Sequence, residues 1–274
     1  MIEYRVSKED LVKYLSNGLS AKDIENVTGI EKTKILYDIK KYKLNSLNKY
    51  YKPKYVEDFF HKIDSKEKAY MLGFLLGDGS ISKENKLSCT VAIEDREILD
   101  KFSNWTGAKI REDFRKIPSK KVFPHVEIKI GNSKLMKDIN MLFGGRRKEE
   151  RHIPIISKKY EHYLVQGFFD AEGCITFGRR KDRNRIWCKI SFTSQLKMLE
   201  GIQNILYKNG IVTKIHPKGQ EKCFVLEFSK PETILKFLNY LYSDNNFIIL
   251  QRKYDKAIAL RLELGENGEG QKSE

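Results

Sequence analysis

Two carboxylates stand at matched places in this chain, Asp78 and Glu172, and each is followed directly by a glycine. Each closes an apolar run broken by small residues, MLGFLLGDG at Met71–Gly79 and VQGFFDAEG at Val165–Gly173. Runs of this kind form buried helices. A helix C-terminus carries partial negative charge, so an acid there is repelled by the dipole unless a cation or a function compensates. Gly73 and Gly77 lie four apart in one copy, as Gly167 and Ala171 do in the other. Each pair therefore shares one helical face and lets a second backbone come close. Two such helices packed face to face bring Asp78 and Glu172 together, the usual way to hold a divalent cation with oxygen ligands suited to magnesium. The glycine after each acid is expected to adopt the left-handed conformation that stops a helix.

The two segments resemble the paired signature of the LAGLIDADG homing endonucleases, and the run FFHKIDSKEKAYMLGFLLGDGSI is similar to the opening of the first repeat in that family. The resemblance implies an α+β fold of two pseudo-symmetric αββαββα repeats packed through their motif helices. It implies a site-specific double-strand DNA endonuclease using Mg2+, with Mn2+ as a substitute. The last acid of each motif would bind the metal, here Asp78 and Glu172, together with the backbone of Gly77 and Ala171. The earlier acid of the family motif corresponds to Leu76 in copy one and to Asp170 in copy two. Polar active-site residues carry over to Gln195 in FTSQL and to Asp95 in the first half, aligned through Ile98-Leu99 and Met198-Leu199. The lysines that the family places near the scissile phosphates correspond to Lys148 and Lys253, with Arg147 and Arg252 as neighbours.

Composition agrees with a polyanionic partner. The 274 residues carry 52 Lys+Arg against 37 Asp+Glu, a net charge of +15. Neutralising phosphates releases counterions, which favours nucleic acid without any sequence reading. No apolar run reaches the roughly 18 residues of a spanning helix, and the charged start lacks a signal-peptide core, so a soluble intracellular protein without membrane association is expected. Cys89, Cys174, Cys188 and Cys223 have no CxxC spacing, and the five histidines form no paired motif, which disfavours zinc and histidine-dependent nuclease chemistry.

Before the repeats, residues 7 to 44 read as a helix-turn-helix unit, with Leu11, Tyr14 and Leu15 on the first helix. Ser20 is the expected N-cap of the second helix with Asp23 at N3, and Ile24 and Val27 face inward. The third helix has Ile35, Leu36 and Ile39 as its apolar stripe and would present Lys32, Thr33, Lys34 and Tyr37 to a groove. From Lys40 to Tyr55 there is no acid among interleaved lysines and tyrosines, the composition of a phosphate-tracking linker. The expected organisation is a helix-turn-helix domain at 1–48, a basic linker at 49–65, repeats at 66–155 and 156–264, and a disordered tail at 265–274.

In both repeats the strands alternate. Ile186, Cys188, Ile190 and Phe192 oppose Trp187, Lys189, Ser191 and Thr193; Val126, Ile128 and Ile130 oppose Glu127 and Lys129. The apolar faces need helices near 95–105, 133–143, 195–208 and 231–242, and the polar faces remain for DNA. Basic hairpins add Arg115, Lys116, Lys120 and Lys121 in one half and Arg179, Arg180, Lys181, Arg183 and Arg185 in the other. The expected DNA contacts are therefore Lys32, Lys34, Arg115, Lys129, Arg179, Arg180, Lys181, Arg183, Arg185, Lys189, Ser191, Thr193 and Lys214. Both half-sites lie in one chain, so a monomer with no obligate protein partner and an asymmetric target is expected. An RNA maturase and a cleavage-dead DNA-binding regulator are the other functions this fold could serve.

Overall fold

The computed structural model describes residues 5–17, 19–44, 55–116, 122–180, 185–219, 222–247 and 249–266. The chain divides into two compact units, Met1–Lys54 and Tyr55–Glu274, each with its own hydrophobic cluster. The smaller unit holds α1 (Lys8–Ser16), α2 (Ala21–Thr28) and α3 (Lys32–Lys41). Ser20 Oγ accepts from the Asp23 amide at 3.2 Å while the Asp23 carboxylate accepts from the Ser20 amide at 2.7 Å. This reciprocal cap satisfies two otherwise orphaned donors, each worth about 1 kcal/mol. Gly29, at φ 70°, ends α2.

Leu11, Leu15, Ile24, Ile35 and Ile39 are buried among these helices. At about 1.5–3 kcal/mol per buried aliphatic side chain they supply the unit's main driving force. Two residues expected inside are not: Val27 is 61 % and Leu36 46 % exposed. The inward stripe of α3 is the helical set Ile35, Asp38 and Ile39, and Leu36 falls about 100° off it. Lys32, Thr33, Lys34 and Tyr37 lie on the exposed face.

The larger unit begins earlier than its composition suggests. Phe59 and Phe60 are buried in its core, so the segment read as linker up to residue 65 is part of the packed unit from about Tyr55, while residues 45–54 lie outside the described chain. The first repeat runs α4 (Lys66–Asp78), β1 (Gly79–Ile81), β2 (Leu87–Ala92), α5 (Arg96–Thr106), β3 (Ile110–Lys116), β4 (Val122–Ile130) and α6 (Ser133–Phe143). The second repeats that order with α7 (Glu161–Glu172), β5 (Gly173–Arg180), β6 (Arg185–Ser194), α8 (Leu196–Lys208), β7 (Lys214–Pro217), β8 (Phe224–Phe228) and α9 (Pro231–Leu241). A further helix, α10 (Gln251–Glu266), has no counterpart in the first repeat among the described residues. It runs through Gly265 and Glu266, which were expected in the tail; residues 267–274 lie outside the described chain.

Each repeat forms one antiparallel four-stranded sheet, in the orders β1-β2-β4-β3 and β5-β6-β8-β7. The expected alternation holds on both. Cys89, Val126, Ile128 and Ile130 are buried in one repeat, as are Cys188, Ile190, Phe192 and Leu226 in the other, while Lys129 and Trp187 are exposed. One apolar face covered by helices leaves one polar face open on each sheet.

α4 and α7 pack on each other more extensively than any other pair of elements. A Cβ on Gly73 would lie 2.0 Å from the Leu164 carbonyl oxygen, and one on Gly167 would lie 2.0 Å from that of Tyr70. The helices thus touch backbone to backbone, and by the same residues from each side. The glycines that follow the motif acids have a different reason from the one expected. Gly79 (φ −71°) and Gly173 (φ −87°) are extended, not left-handed. Each passes straight into a strand beside its own helix end, where a Cβ on Gly79 would meet the Leu75 carbonyl oxygen at 2.3 Å and one on Gly173 the Phe169 ring at 2.1 Å. Close approach, not turn geometry, requires them.

Candidate active site

The backbone contact of α4 and α7 fixes where their last residues fall. Beyond Gly73 and Gly167 the crossing continues to Gly77, where an added Cβ would meet the Ala171 Cβ at 2.6 Å and the Glu172 Cγ at 2.8 Å. Asp78 and Glu172 are consequently neighbours. Both carboxyls are partly buried and both are pushed above the ordinary carboxylate range. Burial is the main cause for each, and for Asp78, raised to about 6, the nearby Glu172 charge adds to it.

Cations answer this charge from three sides. Lys148 donates to the Gly77 carbonyl at 2.7 Å and lies 3.7 Å from Glu172 Oε1. Lys253 is buried, and its ammonium donates to the carbonyls of Phe169, Asp170 and Gly173 at 2.6, 2.7 and 2.7 Å. Burial lowers its pKa to about 8. It occupies the negative end of α7, where its ammonium adds a donor to the carbonyls of the last turn.

The first repeat achieves the same with a residue that its sequence did not single out. Arg151, 1 % exposed, donates to the carbonyls of Leu76 at 3.3 Å and Gly79 at 2.8 Å, the counterparts of Asp170 and Gly173. The structural equivalent of Lys253 is therefore Arg151, and the expected pairing of Lys148 with Lys253 is corrected. Arg151 stands in the run GGRRKEER, where four cations compete and only the need for one cation per helix end could have pointed to it. Lys148 and Lys253 are the cations that act on both acids, while Gln195, which precedes α8, lines with Ser80, Lys148 and Arg151 an open cavity of about 750 Å³.

The other expected site residues fall elsewhere. Asp95, expected to match Gln195, is buried and accepts from Nε and Nη2 of Arg252 at 2.7 Å each, a bidentate pair that leaves its carboxylate engaged. Asp170 is fully enclosed, accepts from Tyr70 Oη at 2.6 Å across the helix crossing, and is raised to about 7 by burial. It ties the helices together rather than facing the site. Lys189, Ser191, Thr193 and Lys214 do share the polar face of the second sheet, and Lys129 that of the first. Arg179 does not. It is in register with Ile186 on the helix-covered face and its guanidinium binds Glu263 of α10 at 2.8 Å. Of Arg115, Arg180 and Arg185 only the strand backbone is described, and Lys120, Lys121, Lys181 and Arg183 lie outside the described residues.

A divalent cation fits this arrangement through its charge balance. Two neighbouring carboxylates whose ionisation is opposed by burial, and for Asp78 also by the Glu172 charge, gain most from a cation between them. Among the described residues no group of three or more His, Cys, Asp or Glu side chains could complete a protein-only site. Two carboxylates with the remaining positions left to water and phosphate is the habit of Mg2+ rather than of a caged metal. The Gly77 carbonyl, expected as a ligand with that of Ala171, is occupied by Lys148 here.

Two packed helices ending in paired acids, each leading into a four-stranded antiparallel sheet, make up the two-repeat LAGLIDADG fold in a single chain. The LAGLIDADG-like domain family matches residues 159–242, the core of the second repeat. Solved structures agree over most of the larger unit. The I-AabMI LAGLIDADG meganuclease bound to uncleaved DNA is 14% identical with a TM-score of 0.52, over 73% of this chain and 91% of that one. The I-SmaMI LAGLIDADG homing endonuclease bound to cleaved DNA is 12% identical with a TM-score of 0.50, over 72% and 88%. The I-GzeII LAGLIDADG homing endonuclease in complex with its DNA target is 10% identical with a TM-score of 0.50, over 75% and 92%. No curated protein sequence matches the chain. No helix among the described residues is long and apolar enough to cross a membrane.

Proposed function

We propose that the protein is a site-specific, divalent-metal-dependent double-strand DNA endonuclease, an intracellular monomer whose two repeats each bind one half of a long asymmetric target. The observation that carries this reading is the pair Asp78 and Glu172, one from each repeat, brought to one point under cations. The DNA-bound state of the similar solved structures supports the substrate, and the net charge of +15 suits it. Asp78 and Glu172 would hold Mg2+, or Mn2+ in its place, which would supply charge stabilisation on the phosphoryl oxygens and assistance to the leaving 3′ oxygen. Lys148 and Gln195 line the open side of the site and orient the scissile phosphate and the attacking water. Lys253 and Arg151 keep the helix ends in place by holding their carbonyls, and so position the acids.

Incubating the protein with Mg2+ and a pool of random duplexes, then sequencing the cut ends, tests this directly. A recurrent break inside one motif, lost with EDTA, is expected. Intact duplexes, or accelerated splicing of a precursor RNA in place of cutting, would move the fold to another function.

The pH dependence follows from Asp78. A carboxyl raised to about 6 in the folded chain favours the protonated form, so its contribution to stability is complete below its unfolded value near 4 and is lost as pH rises through 6. Cation binding needs the ionised form and should fall as pH drops below about 6. Melting of the metal-free protein should show Asp78→Asn stabilising relative to wild type at pH 7.5, and less so at pH 5; the same difference at both values would remove Asp78 from the account.

The smaller unit adds affinity. Lys32, Lys34 and Tyr37 on the exposed face of α3 enter a groove beyond the main site, raising binding through effective concentration. Removal of residues 1–54 should leave a metal-dependent nuclease cutting at the same position, with weaker binding and a footprint shortened on one side. An unchanged footprint would make these helices a packing domain only.

A further inference from the structure

The two sheets can be aligned strand by strand, and at one aligned position their charge inverts. Gly79 is in register with Cys89, whose partner on β4 is Ile128; Gly173 is in register with Phe192, whose partner on β8 is Leu226. One step along each strand is the first polar-face row beyond the motif acid. In the first repeat that row is Ser80, Ser88 and Lys129; in the second it is Cys174, Ser191, Glu227 and, on the edge strand β7, Lys214. The strands β1, β2, β5 and β6 thus carry small side chains in this row, and the third place is a cation in one repeat and an anion in the other.

We infer that Lys129 and Glu227 read mirrored base pairs of the target with opposite chemistry, and so set which half-site each repeat accepts. This rests on the DNA reading proposed above. A lysine in the major groove seeks the O6 and N7 acceptors of guanine, whereas a carboxylate can accept only from an exocyclic amine, that of cytosine or adenine. Beside the small residues of this row the Lys129 side chain is 46 % exposed and that of Glu227 30 %. Each has a local counter-charge that keeps it extended: Lys129 lies 2.9 Å from Glu127, and Glu227 lies 3.2 Å from Lys189 and 3.8 Å from His216. Exposed pairs of this kind hold weakly, so a base edge can replace them. The adjoining polar-face row, level with the motif acids themselves, does not repeat the inversion, since Glu127 with Thr90 and Arg111 is matched by Val225 with Thr193 and His216. Of these two rows the inversion therefore falls on the outer one alone, one step along the strands from the glycines that follow the motif acids.

The test selects bound duplexes from a random pool with the full-length protein, comparing wild type with Glu227→Lys, Lys129→Glu and the double exchange, while Glu227→Gln and Lys129→Gln serve if a charge reversal unfolds. Wild type should select a motif with guanine at one mirrored position and an amine-bearing base at the other. Glu227→Lys should bring guanine to both, with roughly tenfold changed discrimination there and the rest of the motif unaltered. The double exchange should interchange the two positions, and Glu227→Gln should relax one of them alone. A motif unchanged at every position in these variants would overturn the inference while leaving the DNA reading intact. Selection of no motif by wild type would overturn both.

Discussion

Asp78→Asn and Glu172→Gln are each expected to reduce double-strand cleavage by roughly a thousandfold or more, the several kcal/mol that a catalytic cation contributes to a developing phosphoryl charge. The side chains remain isosteric. Each change removes one negative charge from a point where burial already opposes ionisation, and the one contact weakened is the partly exposed Lys148–Glu172 pair at 3.7 Å, so the protein should lose little stability. DNA affinity should hold or rise slightly, because the cationic polar faces are untouched and a repulsive charge has gone. The pattern that matters is therefore a collapse of rate with retained binding, read by single-turnover cleavage beside a binding titration on one duplex. Parallel loss of both would mean that the acids hold the fold and not the chemistry. Substantial cutting by both variants would place the chemistry elsewhere.

The second large effect concerns the helix crossing. Gly73→Val and Gly167→Val are each expected to cost about 3 kcal/mol or more, at the upper end of overpacking penalties. What the added carbons strike is backbone, the carbonyls of Leu164 and Tyr70 at 2.0 Å, and those atoms belong to helices buried on every side. No rotamer change relieves such a contact. The helices must separate, and every residue beyond the crossing moves with them, including Asp78 and Glu172. Against a total stability of about 5–15 kcal/mol such a loss leaves little folded protein at 37 °C. Urea unfolding measures it, with Gly265→Ala on α10 as the control, where an added Cβ meets nothing within 4 Å. If Gly73→Val unfolds at the wild-type midpoint, the helices do not pack through this face.

The motif helices were legible in the sequence because backbone contact admits so few residue types. Gly73, Gly77, Gly167 and Ala171 at helical spacing allow little else, and the acids that follow inherit their meeting from that geometry. The sheets were legible through alternation, since a face such as Ile186, Cys188, Ile190 and Phe192 must be covered by something apolar. What escaped were long-range polar contacts. Arg151 reaches back to Gly79, and Asp95 meets Arg252 across the two repeats, in a chain where 52 cations make any one of them unremarkable by type. Arg179 was misread for a related reason: a charge in a hairpin looks solvent-bound until the helix carrying Glu263 is known to lie over it. That helix, α10, is itself visible in hindsight as the stripe Lys253, Ala257, Leu260 and Leu264, but its first member is a lysine, which hides the period. Lys253 is on the apolar side because three carbonyls await it there.

The most direct test of the account is whether the two acids hold the cation that cutting requires. Mn2+ paramagnetic resonance on the protein bound to its selected duplex, with cleavage followed on the same samples, compares wild type with Asp78→Asn/Glu172→Gln. The account predicts Mn2+ bound with the duplex cut on both strands by wild type, and neither Mn2+ retained nor either strand cut by the double variant although the duplex stays bound. Equal Mn2+ uptake and cutting by the two proteins would contradict it.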